Sequence, residues 1–197
     1  MKPLLALAVL CACGGPVALD ESGDEADLAS AAAALAAYDP ITSLSAAHKA
    51  AAALSAGALA VQLQGDRTPP ADSMHTQPQP RKPLYLWTWT FHGSQGAVAV
   101  TVGPGLKPRA RKLPQDSTTG LPVLDFQRVA FHPKDLYAQV VAVFPEETHH
   151  AFDQLVLSGA QAGQPQGWQA LVYEQGDDDK LFFVDGLRGG ASALPVD

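Results

Sequence analysis

An α+β fold, with an antiparallel β-sheet and helices packed on one face in two αβββ-like halves, is predicted by three features of the 197-residue sequence. The first is Leu84 to Val102, LYLWTWTFHGSQGAVAVTV. Tyr85, Trp87, Trp89 and Phe91 point one way, and Leu84, Leu86, Thr88 and Thr90 the other. A period of two in aromatic and β-branched residues marks a strand with one buried face. After the gap from His92 to Gly96, Val98, Val100 and Val102 alternate again, so the stretch reads as a β-hairpin with a glycine-containing loop. The second feature is Leu44, Ala47, Ala51 and Leu54 at helical spacing, followed beyond Gly57 by the alternating Leu59, Val61 and Leu63. The third is that the same order of elements recurs between Pro133 and Asp185.

The aromatic hairpin is where the core is expected to form. Four aromatic side chains at about 150–250 Å² each, at about 25 cal/mol per Å², contribute roughly 15–25 kcal/mol as an upper bound. Ahead of it, Ala26 to Ala37 has high helix propensity but almost no large side chain, and Asp39-Pro40 ends it. Ser43 or Ser45 can cap the next helix, which runs to Ala56. A strand then leads to Gly65. Asp66 to Pro83 holds five prolines and no periodicity, and reads as a loop. Past the hairpin, Leu106 to Gly120 reads as a basic linker and Leu121 to Phe131 as an extended piece.

In the second half, Pro133 stands where a helix begins, and Leu136, Tyr137, Val140, Val141 and Phe144 share one helical face before Pro145. Gln154 to Gly159 (QLVLSG) echoes VQLQG at Val61 to Gly65. Gly167 to Glu174 is a strand led by Trp168, as the earlier one is led by Trp87. Gln175 to Asp179 is an acidic turn, and Lys180 to Asp185 is a last strand closed by Gly186, Gly189 and Gly190. The reading divides the chain into 1–12, 13–40, 41–112 and 113–197: a signal, an acidic and alanine-rich tether, and two αβββ halves.

The amino terminus carries its own information. Both cysteines, Cys11 and Cys13, lie there, so no thiol remains for a disulfide within the domain. Met1-Lys2 is a short basic start, and Leu4 to Leu10 is an apolar run too short to span a bilayer, which takes about 20 residues. Leu10-Cys11-Ala12-Cys13-Gly14-Gly15 resembles a bacterial lipoprotein signal, in which a leucine stands three places before the modified cysteine. Cys13 fits that role. Cys11 fits worse, because Leu10 would stand directly before it. The resemblance implies cleavage before Cys13, acyl chains on its sulfur and new amino end, and a firm membrane anchor. Gly14, where some such proteins carry Asp, resembles those sorted to an outer membrane. An ordinary cleaved signal, or a cytoplasmic chain with an apolar start, is the plainer alternative. The acid-rich stretch from Asp20 to Asp27 then reads as a solvated tether.

The glycine-led, Trp-bearing strands (Trp87 to Phe91; Trp168 to Tyr173) and the ending Phe183-Val184-Asp185-Gly186 resemble the PepSY-like domains of exported bacterial proteins, over roughly Leu44 to Ala191. Those domains pair a helix with a small antiparallel sheet and are associated with modulating secreted peptidases. The resemblance therefore implies a protein or peptide partner and carries no catalytic residues across. The first half departs from the pattern by its proline insert and by lacking the Asp-Gly close.

Candidate chemistry is sparse. Net charge −7 and pI near 5.2 argue against nucleic acid as a partner, which would require a continuous basic groove. Glu146, Glu147, His149 and His150, with His132 a helix-length earlier, are metal-ligand residue types, but adjacent histidines on a helix face about 100° apart, and H-E-x-x-H is absent. Asp177, Asp178 and Asp179 in a row lack calcium-loop spacing. Ser94 and Ser158 adjoin glycines at turns, not in a nucleophile elbow. No metal, no cofactor and no catalytic residue is assigned.

Tyr85, Trp87, Trp89 and Phe91 remain as a candidate binding surface, against the plainer reading that an aromatic stripe is core. If helices cover one sheet face only, the opposite face stays open for a partner. The expected protein is an exported, non-enzymatic envelope or outer-membrane lipoprotein. It is held to the membrane by lipid on Cys13 and binds an envelope protein or peptide. The alternative is a structural or assembly role without a discrete ligand, in which case the indole rings are buried.

Overall fold

The computed structural model describes residues 33–67, 85–114, 117–145, 147, 152–161, 163–172 and 179–195. Two helices, α1 (Leu44–Ala52) and α2 (Pro133–Val141), accompany eight strands: β1 (Leu59–Arg67), β2 (Tyr85–Gly93), β3 (Gly96–Val102), β4 (Arg109–Lys112), β5 (Gln154–Ser158), β6 (Gly167–Val172), β7 (Lys180–Asp185) and β8 (Ala191–Leu194). They form one antiparallel sheet in the order β4-β3-β2-β1-β5-β6-β7-β8. Each half is a meander that runs outward from the middle, and the two meanders join where β1 pairs with β5. The fold is α+β with the helices on one face, as the alternation predicts.

Each half carries four strands where the sequence reading finds three. β4 (RARK) has no apolar alternation, and its residues read as linker; it pairs with β3 from Val98–Lys112 to Thr101–Arg109. β8 follows two glycines and is made of three small residues and Leu194, yet it pairs with β7 from Leu181–Leu194 to Val184–Ala191. The sheet context supplies the signal that these four-residue edges lack.

The core face of the sheet bears Leu63, Trp87, Trp89, Phe91, Val100, Leu155, Leu157, Trp168 and Val184 in one hydrophobic cluster with Ala47 and Ala51 of α1 and Leu136 and Val140 of α2. α1 packs on β2, β3 and β4; α2 packs on β7 and β8. Between them run Leu124, Phe126, Val129 and Phe131 of the inter-half linker. Leu124 N–H donates to Ala60 O (2.9 Å) and Trp168 Nε1–H to Phe131 O (2.8 Å), so the linker lies against the sheet.

Helical residues 33–37 add Leu35 to the same core, and residues 26–32 of the expected alanine helix lie outside the described residues. α1 is shorter than expected. A 3₁₀ turn over Pro40–Ser43 precedes it, N-capped by Asp39, whose Oδ1 accepts from Ile41 N–H at 3.0 Å. Ser43 precedes α1 without a side-chain capping bond, because its hydroxyl donates to Pro40 O and accepts from Trp89 Nε1–H. α2 starts at Pro133 as predicted, and His132 N–H donates to Asp135 Oδ2 (3.1 Å).

The repeat holds in a corrected register. Gln64 pairs with Val156 at the seam between the halves. One residue on, Gly65 pairs with Trp87, and symmetrically Leu157 pairs with Trp168. The two tryptophans thus occupy matching places about a local two-fold, and Val102 and Val184 lie opposite them. The counterpart of Gly65 is Leu157 rather than the expected Gly159. Gly65 serves a local need: a Cβ there would lie 2.5 Å from Trp87 Cζ3, so the indole lies over bare backbone.

Candidate functional site

The period-two pattern of β2 places Tyr85, Trp87, Trp89 and Phe91 on one face, and that face is the covered one. All four are buried, with Trp89 and Phe91 at 0% exposure. Their rings form a chain: Tyr85 stacks on Trp87, Trp87 meets Trp168 edge-to-face at 6.4 Å, and Trp89 meets Phe126 at 5.8 Å. Tyr85 OH donates to Phe152 O (2.7 Å), and burial pushes its phenol well above the ordinary range. The aromatic stripe, offered by the sequence as a candidate binding surface, is therefore packed in the core, as in the plainer reading.

Among the described residues, the helices leave the opposite face uncovered. Across it the strands line up in rows. One row runs from Arg109 through Thr101, Thr88 and Gln64 to Val156, Gln169 and Phe183. The next runs from Arg111 through Ala99, Thr90 and Gln62 to Ser158. Thr88, Thr90, Gln62, Gln64 and Gln169 are all half-exposed. At the seam, Asp66 Oδ1 accepts from Gln64 Nε2 (2.9 Å) and Gln154 Nε2 (2.8 Å), which holds two amides flat on the face. The far end turns apolar where Leu171, Leu181 and Leu194 pair across β6, β7 and β8. The face thus grades from cations at β4, through hydroxyls and amides, to leucines at β8. Such a face can recognise a surface by hydrogen bonds and shape.

Two clefts lie along one end of the strands. An apolar one of about 420 Å³ is lined by Leu44, His48, Leu59, Phe91, Val123 and Phe126, with the His48 ring edge-on to Phe91 at 6.1 Å. A polar one of about 500 Å³ is bordered by Arg128, Gln166, Asp185 and Arg188. Its groups are engaged locally: Gln166 bridges Asp125 N–H and O, and Asp185 Oδ1 accepts from the amides of Leu187 and Arg188.

The remaining sequence candidates separate. Glu147 is buried and accepts from Lys180 Nζ at 2.8 Å, while His132 Nδ1 lies 2.6 Å from Asp39 Oδ2. The two have different partners. Among the described residues no three His, Cys, Asp or Glu side chains are grouped to hold a metal. Glu146, His149, His150, Asp177, Asp178 and Cys13 lie outside the described residues. Ser94 is in the β2–β3 turn and donates to Ala56 O, whereas Ser158 sits within β5, paired with Gln62 and Gly167. No described helix is long and apolar enough to cross a membrane.

No family model matches this chain, and no curated protein matches it. Among solved structures, the chain is similar to one described as a candidate lipoprotein from Clostridium difficile 630. The two are 14% identical, with a TM-score of 0.47, over 71% of this chain and 82% of that one.

Proposed function

We propose that this chain is an exported lipoprotein, anchored through Cys13 to an outer membrane or cell envelope, that binds a protein or peptide on the open face of its sheet and catalyses no reaction. The observation that carries the binding part is the division of the sheet: one face buried under helices and linker, the other presenting half-exposed threonines and glutamines. Ordered amides and hydroxyls give directional contacts at little entropic cost. The anchoring part rests on Leu10-Cys11-Ala12-Cys13. The resemblance to PepSY-like domains points to a secreted peptidase, or a peptide one would cut, as the partner.

A structural or assembly role is the second reading. Burial of Trp87 and Trp168 favours it, since those rings serve the core alone. One pair of experiments separates the readings. Mass spectrometry of the mature amino terminus is expected to find acylated Cys13; an intact, unacylated Met1 overturns the anchor. Capture from detergent extracts is expected to yield one partner with the wild type and none with Thr88→Lys/Gln64→Lys, which leaves the core untouched. Identical captures with both proteins overturn recognition by the open face.

A further inference from the structure

Charge is divided unevenly between the two halves. Residues 41–112 contain eight basic and two acidic side chains; residues 113–197 contain four and twelve. Within the basic half, Lys107, Arg109, Arg111 and Lys112 are concentrated on and beside β4, and all four are exposed. The described ion pairs use Arg67, Arg128, His132 and Lys180 and none of these four. Arg109 and Arg111 pair with Thr101 and Ala99, so both project on the open face at about 7 Å spacing along the rim. The packed neighbour on the other side, α1, brings a further cation, Lys49, and no acid.

A charged edge strand protects a sheet from edge-to-edge association. That requirement applies equally to β8, the other edge, of the same length, and β8 carries no charge (ASAL). Edge protection therefore does not account for four cations at β4. β4 is an edge strand, so its cations are displayed along the rim of the sheet. Cations spread from Lys107 to Lys112 along an edge meet an extended anionic surface better than they enclose a small anion.

We propose that β4 is a docking strip for an anionic lipid surface, so that the domain stands on its β4 edge with the acidic second half away from the membrane. The anchor reading supplies only the setting; attraction to anionic lipid does not depend on it. Each cation near such a surface adds about five-fold to partitioning, and the effect is screened by salt.

The test uses the unacylated chain from Gly14 to Asp197, which contains every residue of the core. Co-sedimentation is measured with vesicles of neutral phosphatidylcholine and with vesicles containing a third phosphatidylglycerol. Binding to the anionic vesicles alone is expected, lost at high salt. Arg109→Glu/Arg111→Glu, which keeps the edge charged, is expected to weaken it by about twenty-five-fold or more, and Arg109→Lys/Arg111→Lys to retain it. Equal binding to both vesicle types, no binding to either, or an unchanged Glu variant overturns the proposal. The other anionic occupant is the chain's own Asp20–Asp27 stretch. If vesicle binding appears only after Asp20, Glu21, Asp24, Glu25 and Asp27 are neutralised, that stretch occupies β4 and the proposal fails. The mature-terminus measurement tests the anchor separately, so the two readings can fail independently.

Discussion

In the first half the helix buries only Ala47 and Ala51, while β2 brings Trp89 and Phe91; in the second, the helix buries Leu136 and Val140, and the matching positions of β6 are Ala170 and Val172. Volume has moved from strand to helix between the two copies. β3 and β7 follow suit, Val100 facing Trp89 and Phe182 facing Ala170, and Phe182 packs on Phe144 at 5.1 Å. The comparison shows that the space between helix and sheet is conserved by the fold while the side chains filling it are exchanged. An alanine-rich helix is a sound core element when its sheet carries the bulk, because interiors are close-packed whatever supplies the volume.

The comparison is broken most severely at the rings. Trp89→Ala is expected to cost about 3–5 kcal/mol, read by urea denaturation, with both halves unfolding together because one cluster contains both. In the second half the burden lies on the helix, so Leu136→Ala should cost about 2–5 kcal/mol by the same measurement. The matching change in the first half is an enlargement. Ala47→Leu should cost about 1–3 kcal/mol by overpacking against β2 and β3, and a shortfall in that cost would show slack under α1. Gly65→Ala tests the seam, where the new methyl meets the Trp87 indole. A loss of about 1–3 kcal/mol is expected there.

The smallest effect is a dependence on pH. The Tyr85 phenol is raised by burial, with the Arg67 charge opposing and Asp153 assisting. Its neutral form is favoured in the fold, so its stability is complete below about pH 10 and is lost as pH rises above that. Tyr85→Phe should flatten part of this alkaline decline while losing about 1 kcal/mol for the bond to Phe152 O. Tyr38 and Tyr137 are raised by burial in the same direction and add to the decline.

The inner strands were legible because Leu59 to Leu63, Tyr85 to Phe91 and Val98 to Val102 alternate, and Gln154 to Ser158 and Lys180 to Asp185 are short apolar runs bounded by polar residues. The edges were not, because Arg109–Lys112 and Ala191–Leu194 are strands only through their neighbours. Pattern alone could not assign the aromatic stripe to core or surface. Alternation shows that two faces differ, and which one is covered depends on where the helices pack. The hydroxyl and amide rows of the open face left little trace in the sequence, since Thr88, Gln64 and Gln169 come from three separate strands.

The pairing of β1 with β5 has a consequence for how the chain folds. Every other strand contact joins immediate successors, but this one unites the first strand of each half across the whole of the first meander. Until it forms, each meander presents an unshielded inner border that any like segment could occupy. Joining Gln64 to Val156 is therefore expected to be the slow step, and a chain caught before it to exchange partners with its neighbours.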